Sequence, residues 1–126
     1  MEQASVRSNG PGPAGPLSAM DFHVLLVLSE GASYGYAIMK AVAEQSGGAV
    51  EPEIGSLYRV LARLMGEGWV REAAEPAGAP AVTRGRDRRY YALTVEGRRV
   101  VKQEARRLAE VVSLARDRRL LGGGAT

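Results

Sequence analysis

The ten residues Gly55-Ser56-Leu57-Tyr58-Arg59-Val60-Leu61-Ala62-Arg63-Leu64 constrain the fold more than any other stretch of this chain. At about 100° per residue, Leu57, Leu61 and Leu64 fall together at the i, i+4, i+7 spacing of a core-facing helix. Ser56, Arg59 and Arg63 point the opposite way, with Gly55 and Gly66 beside them. Small residues and two guanidiniums let such a face sink into a groove and grip phosphates or guanine edges. An ordinary amphipathic helix with a solvated basic face would carry the same pattern, so the residues that follow decide between the two.

Directly after it comes Glu67-Gly68-Trp69-Val70, in which Gly68 suits the residue that closes a helix. Trp69 and Val70 then open a strand, and core packing is the expected role of the Trp69 ring. Residues 76–87 are Pro- and Gly-rich and predict a loop. Arg88-Arg89-Tyr90-Tyr91-Ala92-Leu93 predicts a second strand, because paired aromatics suit a pleated, half-buried surface. A helix followed by a two-stranded ribbon with a basic tip is the arrangement of a winged helix-turn-helix. The ribbon would carry Arg84, Arg86, Arg88 and Arg89 against the single acid Asp87.

A chain of 126 residues has room for one domain with a modest core. Its formal charge of +3 is mild but uneven, with nine Arg/Lys against three Asp/Glu between Arg84 and Arg107. Such a stripe is the electrostatic footprint of a phosphate-binding surface, although a solvated helix can share it. With no cysteine there is no disulfide framework or thiolate metal site, which fits a reducing cytosol. No apolar run approaches bilayer length, so a cytoplasmic protein with no membrane partner is expected. His23 is the lone histidine and is expected to be structural, not a metal ligand. Without a Walker-type loop or a paired nucleophile and base, neither an enzyme nor a cofactor is expected.

Along the chain, residues 1–16 are rich in Gly, Pro and Ser and are expected to form a disordered tail. A winged helix-turn-helix domain is expected over 17–93, a C-terminal dimerisation helix over 94–121 and a flexible tail over 122–126. Helix one should span about 17–29, with Ser18 as N-cap, and is apolar nearly all round, as a central helix would be. Gly31-Ala32-Ser33 makes a turn, with Ser33 placed to cap helix two over 34–46. That helix should turn Ile38, Ala41 and Val42 inward and stop at Gly47-Gly48. Of Tyr34 and Tyr36 near its start, one should pack and one should reach DNA. Val50 is a candidate for a short third strand.

Thr94 predicts the N-cap of the last helix, with Glu96 suited to the dipole of its first turn. Val101, Ala105, Leu108, Val112 and Ala115 follow at 4-3-4-3 spacing, the pattern of a coiled-coil seam. Val111 and Leu114 widen that stripe. A long amphipathic helix ending so small a domain needs a partner surface, and a second copy of the chain is the economical one.

Taken in order, Tyr34-Gly35-Tyr36, the run 55–64, Glu67-Gly68-Trp69-Val70, Arg88 to Thr94 and Gly97 resemble the PadR family over residues 17–120. These are bacterial winged-helix transcriptional regulators, mostly repressors, and the length fits the subgroup with one C-terminal helix. The resemblance implies a homodimer joined through that helix, often with help from helix one, on double-stranded DNA. It also implies that Tyr34, Ser56, Tyr58 and the arginines at 84, 86 and 88 contact DNA. Arg59 stands where many relatives have proline, which adds either a DNA contact or only a surface charge, and both Arg59 and Arg63 are counted among the expected DNA-binding residues. Small-molecule inducers of varied kinds bind near the dimer interface in the family, and no residue here names one.

The rival from another class is a winged-helix protein–protein interaction module without DNA binding. A basic recognition face argues against it, since a protein-binding version would expose apolar residues there. A metal-sensing regulator lacks its ligands.

Overall fold

The computed structural model describes residues 15–78 and 89–122. Their elements are α1 (Ala19–Leu28), β1 (Ser33–Tyr34), α2 (Gly35–Gln45), α3 (Ile54–Gly66), β2 (Val70–Ala73), β3 (Tyr90–Leu93) and α4 (Val95–Asp117). The chain is mainly helical, with a small antiparallel sheet and a long last helix, the winged helix-turn-helix fold. Residues 1–14, 79–88 and 123–126 lie outside the described residues, and with them the expected contact residues Arg84, Arg86 and Arg88.

Local chemistry sets most of the boundaries. The Ser18 hydroxyl accepts the Asp21 N–H at 3.0 Å and starts α1, and the Thr94 hydroxyl accepts the Gly97 N–H at 2.9 Å and starts α4. At the end of α3, Trp69 N–H donates to the Leu64 carbonyl at 3.1 Å and Gly68 N–H to the Met65 carbonyl at 3.0 Å. This paired closure requires a left-handed residue, and Gly68 supplies it with φ of 84°.

The sheet has the order β1-β3-β2, with all pairs antiparallel. Val70 pairs with Leu93 and Ala73 with Tyr90, as expected of the ribbon. The third strand is not at Val50: Ser33 and Tyr34 pair with Tyr91 and Tyr90 instead. Val50 is held by its own helix end, where its N–H and carbonyl both bond the Ser46 hydroxyl, at 3.0 and 3.1 Å. The same register removes Ser33 from the cap. Tyr34 occupies the N-cap position of α2, with no side-chain cap bond.

The core gathers Val24, Leu25 and Leu28 of α1, Ile38 and Val42 of α2, Leu57, Leu61 and Leu64 of α3, and Val100 and Val101 of α4. Burying side chains of this size contributes about 1.5–3 kcal/mol each. Trp69, Val70 and Tyr91 close the core from the sheet, so Trp69 packs as expected. Gly97 lets α4 pass against the turn before β2, because a Cβ there would collide with the Trp69 carbonyl. Val101, expected as the first seam position, is only 5% exposed and belongs to this core. The uncovered part of α4 begins after Glu104.

Two buried carboxylates brace the start of α1. Asp21 reaches α3, and Glu104 of α4 accepts the Leu17 N–H at 3.3 Å and two bonds from Arg107 at 3.0 and 2.7 Å. The Arg107 hydrogen bonds hold the Glu104 carboxyl below the usual carboxylate range against the opposing effect of burial.

Among the described residues no helix is long and apolar enough to cross a membrane. No group of three or more His, Cys, Asp or Glu among them could hold a metal ion. His23 is bonded to Gln45, whose Nε2 lies 2.9 Å from the ring Nδ1 and donates to the His23 carbonyl at 3.0 Å. These bonds tie α1 to the end of α2.

Candidate nucleic-acid interface

The inner side of α3 is filled by Leu57, Leu61 and Leu64, so its outer side is fixed by rotation alone. Gly55, Arg59, Ala62, Arg63 and Gly66 are exposed there, and Ser56 is half-buried at the edge. Glycines and an alanine keep this surface low, so a groove wall can approach the backbone closely. Arg59 and Ser56 form one polar group, the Arg59 guanidinium donating to the Ser56 hydroxyl at 3.2 Å. Their i, i+3 spacing places both on one face, with Ser56 in the first turn of the helix.

Arg63 lies on this exposed face as its spacing suggests, but its guanidinium is already paired. Its two terminal nitrogens donate to the two carboxylate oxygens of Asp21 at 2.9 and 2.8 Å, a bidentate, charge-assisted pair between α3 and α1. The Asp21 side chain is buried, whereas that of Arg63 is half exposed. The hydrogen bonds to Asp21 raise the guanidinium further above its ordinary range. Arg63 thus clamps two helices. A single signal could have exposed this: Asp21 is the only charged residue among the apolar positions of α1, and a buried carboxylate requires a partner.

Of the two tyrosines, one packs against the sheet and the other is exposed. Tyr34 is in β1 and its ring meets that of Tyr90 edge-on, with centroids 5.4 Å apart. Tyr36 is the second residue of α2 and 59% exposed, on a helix whose Ile38 and Val42 are buried. Tyr58 is half-buried and packs against the core, its ring over Gly35. A Cβ at Gly35 would stand 2.5 Å from the Tyr58 hydroxyl, so glycine there is what lets α2 and α3 approach this closely. Tyr36 is therefore the tyrosine whose hydroxyl is presented outward. Lys40, one turn further along α2, is exposed as well.

At the base of the wing, Arg89 and Glu72 face each other across the strands at 3.5 Å. The arginines expected at its tip lie beyond the described residues. On α4, Ala105 and Val112 are exposed and Leu108 and Ala115 half-buried, while Val111 and Leu114 are 50% and 51% exposed. Past Val101 the expected seam is thus only partly covered by the described residues.

Comparison with known proteins agrees with this geometry. A model of the transcriptional regulator PadR-like family matches residues 24–103, a span running from α1 into α4. The chain is 38% identical over 88 residues to an uncharacterized 37.1 kDa protein of a Streptomyces fradiae transposon. That match covers 70% of this chain but only 22% of the transposon protein. A PadR family transcription regulator from Clostridium difficile superimposes with a TM-score of 0.63 at 21% identity, over 79% of this chain and 97% of that one. Bacillus subtilis PadR in complex with operator DNA gives a TM-score of 0.54 at 21% identity, over 72% of this chain and 47% of that one. With a family model spanning most of the folded core, and a winged helix-turn-helix beneath it, the chain belongs to the PadR-like family of transcriptional regulators.

Proposed function

We propose that this protein is a sequence-specific DNA-binding regulator, working as a homodimer on a palindromic operator as a ligand-responsive repressor. The observation that carries the reading is the outer face of α3, low in profile and cationic, on a helix whose other side is buried. Ser56 and Arg59 would enter the major groove, while Tyr36 would meet the phosphates beside it. Tyr34 and Tyr58 support that surface by packing, and their edges remain secondary candidates for contact. Arg84, Arg86 and Arg88 would reach phosphates or the minor groove with little discrimination. The Bacillus subtilis PadR–operator complex supports the reading through its shared fold.

The homodimer reading rests on Leu108, Val111, Val112 and Leu114, apolar side chains that the domain leaves partly or largely uncovered on α4. A twofold pair would place two copies of α3 about one helical turn of DNA apart, or a multiple of it. A small-molecule inducer would bind near that interface, and a cytoplasmic location follows from the proposed target.

The test begins by selecting bound fragments from random duplex DNA and aligning them. A recurring palindrome is expected, and Arg59→Ala should weaken binding to it by about 1–3 kcal/mol while relaxing preference at one position. Undiminished affinity and unchanged preference in a folded Arg59→Ala variant would overturn the assignment of this face.

A further inference from the structure

We propose that Asp21 is a positioning residue on the DNA-facing side of α3: it holds Arg63 against α1 and away from DNA, leaving Arg59 as the cation that α3 offers to a groove. The inference rests on the DNA-binding reading above.

Three observations carry it. Both terminal nitrogens of Arg63 are committed to the Asp21 carboxylate, at 2.9 and 2.8 Å, so its bidentate end is already occupied. The carboxylate itself cannot follow the arginine outward. Asp21 is 6% exposed, and its backbone N–H is fixed to the Ser18 hydroxyl at 3.0 Å. The third observation is position. Arg63 lies in the last turn of α3. It stands roughly 10 Å along the axis from Ser56 at about 1.5 Å per residue, whereas recognition helices read bases with their N-terminal residues.

Holding a cation back has a physical consequence. A free guanidinium on a long stem near DNA is attracted to any phosphate, and that attraction adds equally to every sequence. The Asp21 carboxylate cancels this contribution and also fixes how α3 sits on α1. Because the withheld attraction is the same for every sequence, it lowers affinity and salt dependence for operator and other DNA alike, and leaves the ratio between them to Ser56 and Arg59.

The experiment measures binding to a mixed-sequence duplex and to the selected palindrome, as a function of salt. It uses the wild-type chain, Asp21→Asn and the double variant Asp21→Asn/Arg63→Gln, with thermal melts to establish folding. Releasing Arg63 should give Asp21→Asn one more phosphate contact and a salt slope steeper by about 0.9. That is roughly a threefold greater loss of affinity between 50 and 200 mM salt. The ratio of palindrome to mixed-sequence affinity should stay at its wild-type value, because the added contact is to phosphate. The double variant should return to the wild-type slope, because the released cation is gone.

A folded Asp21→Asn variant with the wild-type slope would overturn the inference. So would a double variant whose slope is shallower than wild type by about one, since Arg63 would then already touch a phosphate. Should Asp21→Asn fail to fold, the double variant, which leaves no unpaired buried charge, decides alone by the same comparison. Absence of salt-dependent binding by the wild-type chain would instead remove the DNA-binding reading itself, an outcome distinct from either of these.

Discussion

In the first part of α4, Gly97, Val100, Val101 and Glu104 are buried, whereas from Ala105 to Asp117 no residue is. The apolar spacing is the same on both sides of that boundary, running through Val101 and Leu108 to Val112 and Ala115. What differs is what stands opposite. Core side chains from α1 and the sheet cover the first part, whereas the described residues leave the second exposed except for half-buried Leu108 and Ala115. Periodicity thus identifies which side of a helix is apolar, while the identity of the covering surface comes from the tertiary structure.

The contrast can be broken most severely at Val100, which is 1% exposed. Val100→Asp would bury a charge with no partner, at a cost of several kcal/mol against a total stability of about 5–15. The cooperative melt should be lost, as read by circular dichroism. A folded Val100→Asp protein would mean that the first part of α4 is not integral to the core.

Leu108→Glu probes the second part and should behave in the opposite way. The monomer should keep its fold, while the proposed dimer weakens roughly 100-fold, or about 3 kcal/mol, by analytical ultracentrifugation. Cooperative binding to a palindrome should vanish with it. A stable dimer of normal operator affinity would place the subunit contact elsewhere, with α1 the next surface to test.

The boundary residue Glu104 gives the smallest effect. Its carboxyl sits below the usual range chiefly because of the Arg107 hydrogen bonds. A depressed folded value means that the unfolded chain takes up the proton first as pH falls. The associated stability is therefore fully present above the ordinary carboxylate value of about 4.3 and is lost as pH drops through the folded value. Glu104→Gln should cost on the order of 1 kcal/mol near neutral pH, a figure kept low because Arg107 is half exposed. The gap between the two urea midpoints should close on acidification. A gap constant down to pH 3 would separate Glu104 from the acid dependence of folding.

The reading of α3 illustrates how far sequence carries into the candidate site. Leu57, Leu61 and Leu64 are buried as their spacing predicts, and this fixes the exposed position of Arg59 without further information. Arg63 has the same helical phase yet is held by Asp21, a residue 42 positions away that only the packing of α1 on α3 brings within reach. Tyr34 and Tyr36 differ for a similar reason. Pairing of Ser33 and Tyr34 with β3 turns the first ring onto Tyr90 and leaves the second exposed. Two-residue strands such as β1 carry no periodic signal, so its partner could not be read locally.

By itself the sequence determined features whose chemistry is local. The Ser18 and Thr94 caps, the left-handed closure at Gly68, the apolar stripe of α3 and the ribbon pairing of β2 with β3 are of this kind. Each depends on residues a few positions apart, or on alternating faces that the backbone enforces. Tertiary structure alone decided that Arg63 clamps α1, that Glu104 holds the Leu17 backbone 87 positions away, and that Val101 belongs to the core. Those outcomes depend on which surfaces meet when α1 is enclosed. Side-chain type limits the candidates for each contact, but only the packed arrangement brings one of them to within 3 Å.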